Sequence, residues 1–183
     1  MDPRAEATID DLYRVPGKAE LVGGEIVMMS PTGGLPNYAA GEIFASLRDY
    51  ARRTKRGHAS TDNLGFVVEL PDRKSFSPDA AYYFGPLSMK FVQGAPAFAA
   101  EVRSEGDYGP AAQREMAEKR ADYFAAGTQV VWDVDLESAE VVRVHRASNP
   151  EHPTIYRRGK TAEAEPAVPG WTMSVDDLFP QDQ

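Results

Sequence analysis

Hydrophobic and polar positions change period several times along the chain, and the changes mark out its elements. Thr8 is placed to cap a short helix running to about Tyr13, which Pro16 and Gly17 stop. Ala19 to Val22 and Glu25 to Met29, separated by Gly23-Gly24, predict a hairpin with a two-residue turn. From about Pro36 to Lys55 the period becomes helical: Ala40, Ile43, Phe44, Leu47 and Tyr50-Ala51 form one apolar stripe, and Gly57 ends it. Extended segments follow at Leu64 to Leu70 and at Asp79 to Phe84. Ala97 to Val102 is apolar on both faces, as a central buried strand is. Pro110 opens a second long helix that Gly127 closes. Val130 to Val134 is another buried strand, Glu140 to His145 and Thr154 to Arg157 an antiparallel pair, and Val175 to Phe179 a terminal turn or short helix. The central order of helix, three strands, helix, strand predicts a mixed α/β sheet with helices on its faces.

Composition narrows the classes. At 183 residues, 42% apolar and 26% charged, the chain is long enough for one cored domain and is neither disordered nor rich in membrane-spanning runs. The opening residues Met1 to Glu6 lack the apolar stretch of a signal peptide, so the expected location is the cytoplasm, with no membrane partner. The absence of cysteine excludes disulfides, thiolate metal sites and cysteine nucleophiles. The formal net charge of −8 argues against non-specific coating of nucleic acid but leaves room for a local basic groove or an acidic cation site.

Three polar residues stand where a core argument would not put them. Asp79 opens an apolar strand directly after Pro78. Glu101 lies near the end of the most hydrophobic strand, on the face of Ala97, Ala99 and Arg103. An ionised acid there needs a cation, a donor or a metal beside it; pairing with Arg103 or with a helix base is one way to supply it. Lys119 sits at the centre of the helical stripe Ala112, Met116, Tyr123, while Arg114, Glu118, Asp122 and Ala125 fall on other faces. It either snorkels along the apolar surface or reaches a buried carboxylate. Two carboxylates at neighbouring strand ends suit Mg²⁺ or Mn²⁺, hard cations that take oxygen ligands and keep waters. With an ammonium nearby to orient a nucleophile or balance pentacovalent charge, that is equipment for metal-assisted phosphodiester hydrolysis.

Taken in order, Glu20 to Pro31, Pro78-Asp79-Ala80-Ala81, Glu101-Val102-Arg103-Ser104, Glu118 to Gly127, Val168-Pro169-Gly170-Trp171 and Asp177-Leu178-Phe179 resemble the Uma family of restriction endonucleases within the PD-(D/E)XK nuclease superfamily. The resemblance runs from about residue 10 to 180. It implies a restriction-endonuclease-like αβββαβ core at about 36–135, an N-terminal hairpin at 18–29 and C-terminal antiparallel strands at 139–180, in a single domain spanning 1–183. It also implies that Asp79 and Glu101 are metal-binding acids. Lys119 then replaces a lysine more usual two residues after the second acid, a position held here by Arg103, which stays protonated and is suited to phosphate rather than to proton abstraction. Two departures bear on substrate contacts: Ser104-Glu105-Gly106 stands where Ser-Pro-Ser is common, and Pro36-Asn37-Tyr38 where a histidine often occurs.

Glu20 is a further candidate acid, sharing one hairpin face with Glu25, for which that face is read as solvent; Glu42 lies opposite its helix's apolar stripe and is set aside. The run Arg48, Arg52, Arg53, Lys55, Arg56 is the concentrated basic region, readable as a phosphate track or as a solvated helix end. The expected activity is divalent-metal-dependent cleavage of DNA, with Asp79 and Glu101 holding the ion, Lys119 supporting the attacking water and Glu20 as a third acid. A homodimer would suit cutting both strands. An inert binding module of the same fold, and a phosphohydrolase of small phosphate esters, remain open alternatives.

Overall fold

The structure, a computed structural model, describes residues 5–181. Residues 1–4 and 182–183, and with them the ends of the expected 1–183 domain and most of the leader reading of Met1 to Glu6, lie outside it.

Helix α1 spans Ile9–Leu12, and Thr8 and Asp11 cap it reciprocally through side chain and backbone. Strands β1 (Ala19–Val22) and β2 (Glu25–Met28) form the expected hairpin, with Val22 opposite Glu25 and Glu20 opposite Val27. Gly23 and Gly24 both carry positive φ, 58° and 75°, which a two-residue mirror-image turn demands. Helix α2 runs Gly34–Thr54 and starts two residues ahead of Pro36. A proline in the first turn costs nothing there, because the first four N–H groups of a helix have no internal partner.

Strand β3 is His58–Ser60, β4 Phe66–Val67, β5 Ser75–Phe76, β6 Ala80–Tyr83, β7 Val92–Gln93 and β8 Phe98–Val102. Helix α3 is Pro110–Ala125, followed by β9 (Val130–Val134), β10 (Val142–Arg146), β11 (Asn149–Tyr156), β12 (Thr161–Glu163), β13 (Thr172–Ser174) and a 3₁₀ turn at Val175–Leu178. The main sheet has the order β11-β10-β9-β8-β6-β3, antiparallel throughout except for the parallel pair β8 and β9. The αβββαβ core is therefore α2, β3, β6, β8, α3, β9.

One core strand differs from the expectation. The apolar run Leu64 to Leu70 does not join the main sheet; it contributes β4 to a side sheet with β5 and β7. The third core strand is the short, polar His58–Ser60, whose side chains give no alternation and whose place is set by pairing with Tyr83, Tyr82 and Ala81. Similarly, β11 begins at Asn149 rather than Thr154, across a register shift between Val144 and Arg146. Its first residues are exposed and polar, so the hairpin ladder, not burial, makes them a strand.

The two faces of the sheet bury different partners. Ala80, Tyr82, Phe98, Ala100, Val130 and Trp132 meet Ala39, Ile43, Leu47 and Tyr50 of α2, with Trp171 and Met173 closing that core. Ala81, Tyr83, Ala99 and Val131 meet Tyr123 of α3 together with Phe66 and Phe76 of the side sheet. This double coverage is why β8 is apolar on both faces, and it puts Glu101, in step with Ala99, on the face that α3 covers. No helix of the described residues is long and apolar enough to cross a membrane.

Candidate active site

Asp79 and Glu101 meet across a strand pair. Ala80 pairs with Ala100, and the next step outward sets Asp79 opposite Glu101. The Val102 N–H fixes that edge by donating to Asp79 Oδ2 at 2.8 Å. Residues directly opposite in an antiparallel pair hold their Cβ atoms about 5 Å apart, so the two carboxylates share one patch.

Lys119 reaches this patch from α3. Its Nζ lies 2.9 Å from Glu101 Oε1 and 2.8 Å from Glu20 Oε1, so it reaches a carboxylate rather than snorkelling. The stripe that carries it is the helix's sheet-facing side, with Tyr123 fully buried one turn on. Tyr123 donates its hydroxyl to the same Glu101 Oε1 at 2.6 Å. Both contacts fall on Oε1, which leaves Oε2 as the Glu101 oxygen for a cation.

Glu20 belongs to the same cluster. It is 4% exposed, and the chain after the Pro71-Asp72 turn runs along the free edge of β1 beside it: Val22 and Arg73 form an antiparallel bridge, Lys74 N–H donates to Leu21 O, and Leu21 N–H to Ser75 Oγ. Ser77 N–H donates to Glu20 Oε1 at 2.8 Å, and Arg73 Nη1 donates to Oε2 at 2.7 Å. Arg73 also donates through Nε to Asp122 Oδ2, so Asp122, expected on another face of α3, touches the rim of the cluster. Glu25, on the same face of the hairpin, is exposed.

The electrostatics follow from these contacts. Burial opposes the charged form of Glu20, yet Lys119 and Arg73 outweigh it and hold its carboxyl down at about 2. Burial raises Glu101; Lys119 pulls it back, and the charges of Asp79 and Glu20 push it up again. Burial alone would favour loss of the Lys119 proton, but Glu101 and Glu20 override it and raise the ammonium above its ordinary 10.5. With these two carboxylates beside it, Lys119 is held as an ammonium.

Three residues of this cluster gave little or no signal in the sequence. Lys18 places Nζ 2.9 Å from Asp79 Oδ1 and 2.5 Å from Asp62 Oδ1. Its separation of two from Glu20 is the strand period, the one cue available. Arg73 follows a turn, where an arginine reads as solvated, yet it is 7% exposed. Tyr123 read as an apolar stripe member.

For Arg103 and the basic run, the geometry bears on readings that the sequence left open. Arg103 neither pairs with Glu101 nor is free for phosphate: its Nε and Nη2 donate to Asp133 at 2.8 and 2.7 Å in a buried bidentate pair. The basic run from Arg48 to Arg56 lies at the far end of the sheet, because His58 pairs with Tyr83 while Asp79 precedes the opposite end of β6. It cannot line a groove directly over Asp79, and its exposed side chains mark a solvated helix end.

The donor chemistry fits a divalent cation. Among the described residues no three His, Asp or Glu side chains form a ready-made cage. Two hard carboxylates, each a quarter exposed and each already carrying an ammonium on one oxygen, are the sparse set that Mg²⁺ and Mn²⁺ use with waters.

A mixed sheet with one central parallel pair, a helix on each face and carboxylates at a strand edge is the restriction-endonuclease-like nuclease fold. The same fold is seen in the crystal structure of a putative nuclease belonging to DUF820 from Anabaena variabilis, with a TM-score of 0.74 and 19% identity over 94% of this chain and 97% of that one. No curated protein matches the chain. The profile of the Uma2 family, described as putative restriction endonuclease, matches residues 9–176, and the chain belongs to that family.

Proposed function

We propose that the protein is a divalent-metal-dependent endonuclease hydrolysing phosphodiester bonds of DNA, with Asp79 and Glu101 as the acids that hold Mg²⁺ or Mn²⁺. The observation that carries this reading is the meeting of Asp79 and Glu101 across the β6–β8 pair with the Lys119 ammonium 2.9 Å from Glu101. Family membership supports the nuclease class. When bound, such an ion supplies Lewis-acid charge at a phosphoryl oxygen.

The protein's own groups divide the remaining work. Glu101 keeps Oε1 for Lys119 and Tyr123 and would hold the ion with its remaining oxygen. Lys119, held as an ammonium by Glu101 and Glu20, orients the attacking water and balances charge that develops at phosphorus. Glu20 is a positioning residue. It anchors Lys119 from behind and is itself fixed by Arg73 and the Ser77 N–H, so the ammonium has one place to be. A homodimer would present one such site to each strand of a duplex.

Plasmid nicking in Mn²⁺ tests the reading. Wild type nicks and Asp79→Ala does not; cleavage that survives the substitution overturns the assignment. Plasmid, single-stranded DNA, RNA and nucleotides compared side by side test the substrate, with turnover of nucleotides alone excluding an endonuclease.

A further inference from the structure

Lys18 stands just ahead of β1, its side chain 14% exposed, with its ammonium between Asp79 and Asp62. The Glu101 carboxylate acts on it as well. Asp79 Oδ2 is committed to the Val102 N–H, so Oδ1, the oxygen facing Lys18, is the one an incoming cation would use. The three inner acids, Asp79, Glu101 and Glu20, hold three cations, Lys18, Lys119 and Arg73, of which Lys18 also pairs with Asp62 and Arg73 with Asp122. With the Lys18 ammonium on Asp79 Oδ1, a divalent ion cannot take that oxygen unless Lys18 withdraws, because two cations in contact repel.

Only one of the three is placed to do so. Lys119 bridges two acids and Arg73 is buried between Glu20 and Asp122. The second partner of Lys18, by contrast, is Asp62, a loop residue whose side chain is 53% exposed. We propose that Lys18 is a displaceable resident cation: a divalent ion binding between Asp79 and Glu101 exchanges with the Lys18 ammonium, which withdraws onto Asp62. The exchange rests on the metal reading given above. It makes Lys18 and Asp62 positioning residues that set the metal concentration at which the site loads.

Calorimetric titration of Mn²⁺ into wild type, Lys18→Met, Asp62→Asn, the double variant and Asp79→Ala tests it without any activity readout. Lys18→Met is expected to bind Mn²⁺ about tenfold more tightly, an ordinary coupling between neighbouring charges. Asp62→Asn is expected to weaken binding about threefold, the scale of an exposed pair, because Lys18 then has Asp79 alone. In the Lys18→Met background, Asp62→Asn should change nothing. A direct attraction of Asp62 for the metal would persist in that background, and persistence overturns the exchange. Equal affinity of wild type and Lys18→Met also overturns it while leaving the metal site intact. No Asp79-dependent binding in any variant removes the metal reading itself, and the exchange with it. Should Lys18→Met not fold, unchanged affinity in Asp62→Asn overturns the exchange on its own.

Discussion

Replacing Glu20 by glutamine keeps its shape and removes one charge from the most buried acid of the cluster. The variant leaves Arg73 and Lys119 with one counter-charge fewer at positions where their side chains are 8% and 16% exposed. Breaking a buried pair from one side costs about 3–5 kcal/mol. A second route gives a similar figure: a carboxyl taken from its ordinary 4.5 to about 2 on folding contributes about 3 kcal/mol. The sign is that of a depressed acid, with the stabilisation complete above about pH 4.5 and lost as pH falls towards 2. At about 2–4 °C per kcal/mol for a domain of this size, Glu20→Gln should lower Tm by roughly 6–12 °C at pH 7. Calorimetric scans from pH 7 to pH 2.5 measure both parts: the variant melts early at pH 7, and its deficit narrows as acid protonates Glu20 in wild type. A Glu20→Gln protein within about 1 kcal/mol of wild type at pH 7, or a deficit that stays constant to pH 2.5, refutes the buried-anchor account.

Lys119→Met should cut nicking turnover by about 10²–10³-fold, the scale of losing one charge stabiliser, while Mn²⁺ affinity changes far less; equal loss of fold stability and activity would make Lys119 a structural pair only. Because the Lys119 ammonium is raised above 10.5, wild-type rate profiles should show no limb from its deprotonation between about pH 7 and 9, and a limb that Lys119→Met abolishes would contradict this. Arg103→Met strands Asp133, 6% exposed, and should cost about 3–5 kcal/mol in urea titrations while folded molecules still nick; lost nicking with unchanged stability would restore a phosphate role for Arg103. Gly57→Ala places a Cβ 2.4 Å from the Tyr82 ring at a φ of +66°, and should lower stability by about 2 kcal/mol or more, read as a falling Tm; an unchanged Tm would contradict the tight approach.

Those elements whose burial matches a single period were legible from sequence. The α2 stripe, the doubly buried β8 and β9, and the sheet-facing row of α3 each repeat at the spacing their environment imposes. His58–Ser60 was not, since three residues are too few to show a period and the strand is held by its neighbour's ladder. The site divides in the same way. Glu101 and Lys119 were visible as charges among apolar residues, and that misfit is itself the signal. Arg73 and Asp62 lie beside turns, where a charge is unremarkable, and only the pairing of residues 73–75 along the edge of β1 turns Arg73 inward. The Arg103 position was legible as polar in a core strand, but its partner, Asp133, is fixed by the parallel register of β8 and β9, which no local pattern encodes.

Crystals grown or soaked with Mn²⁺ and recorded at its anomalous edge test the central claim most directly. The account predicts an anomalous peak within coordinating distance of both Asp79 and Glu101, missing from Asp79→Ala crystals treated alike. Full Mn²⁺ exposure with no peak at that pair, or a peak held by other residues and unaffected by the substitution, would contradict it.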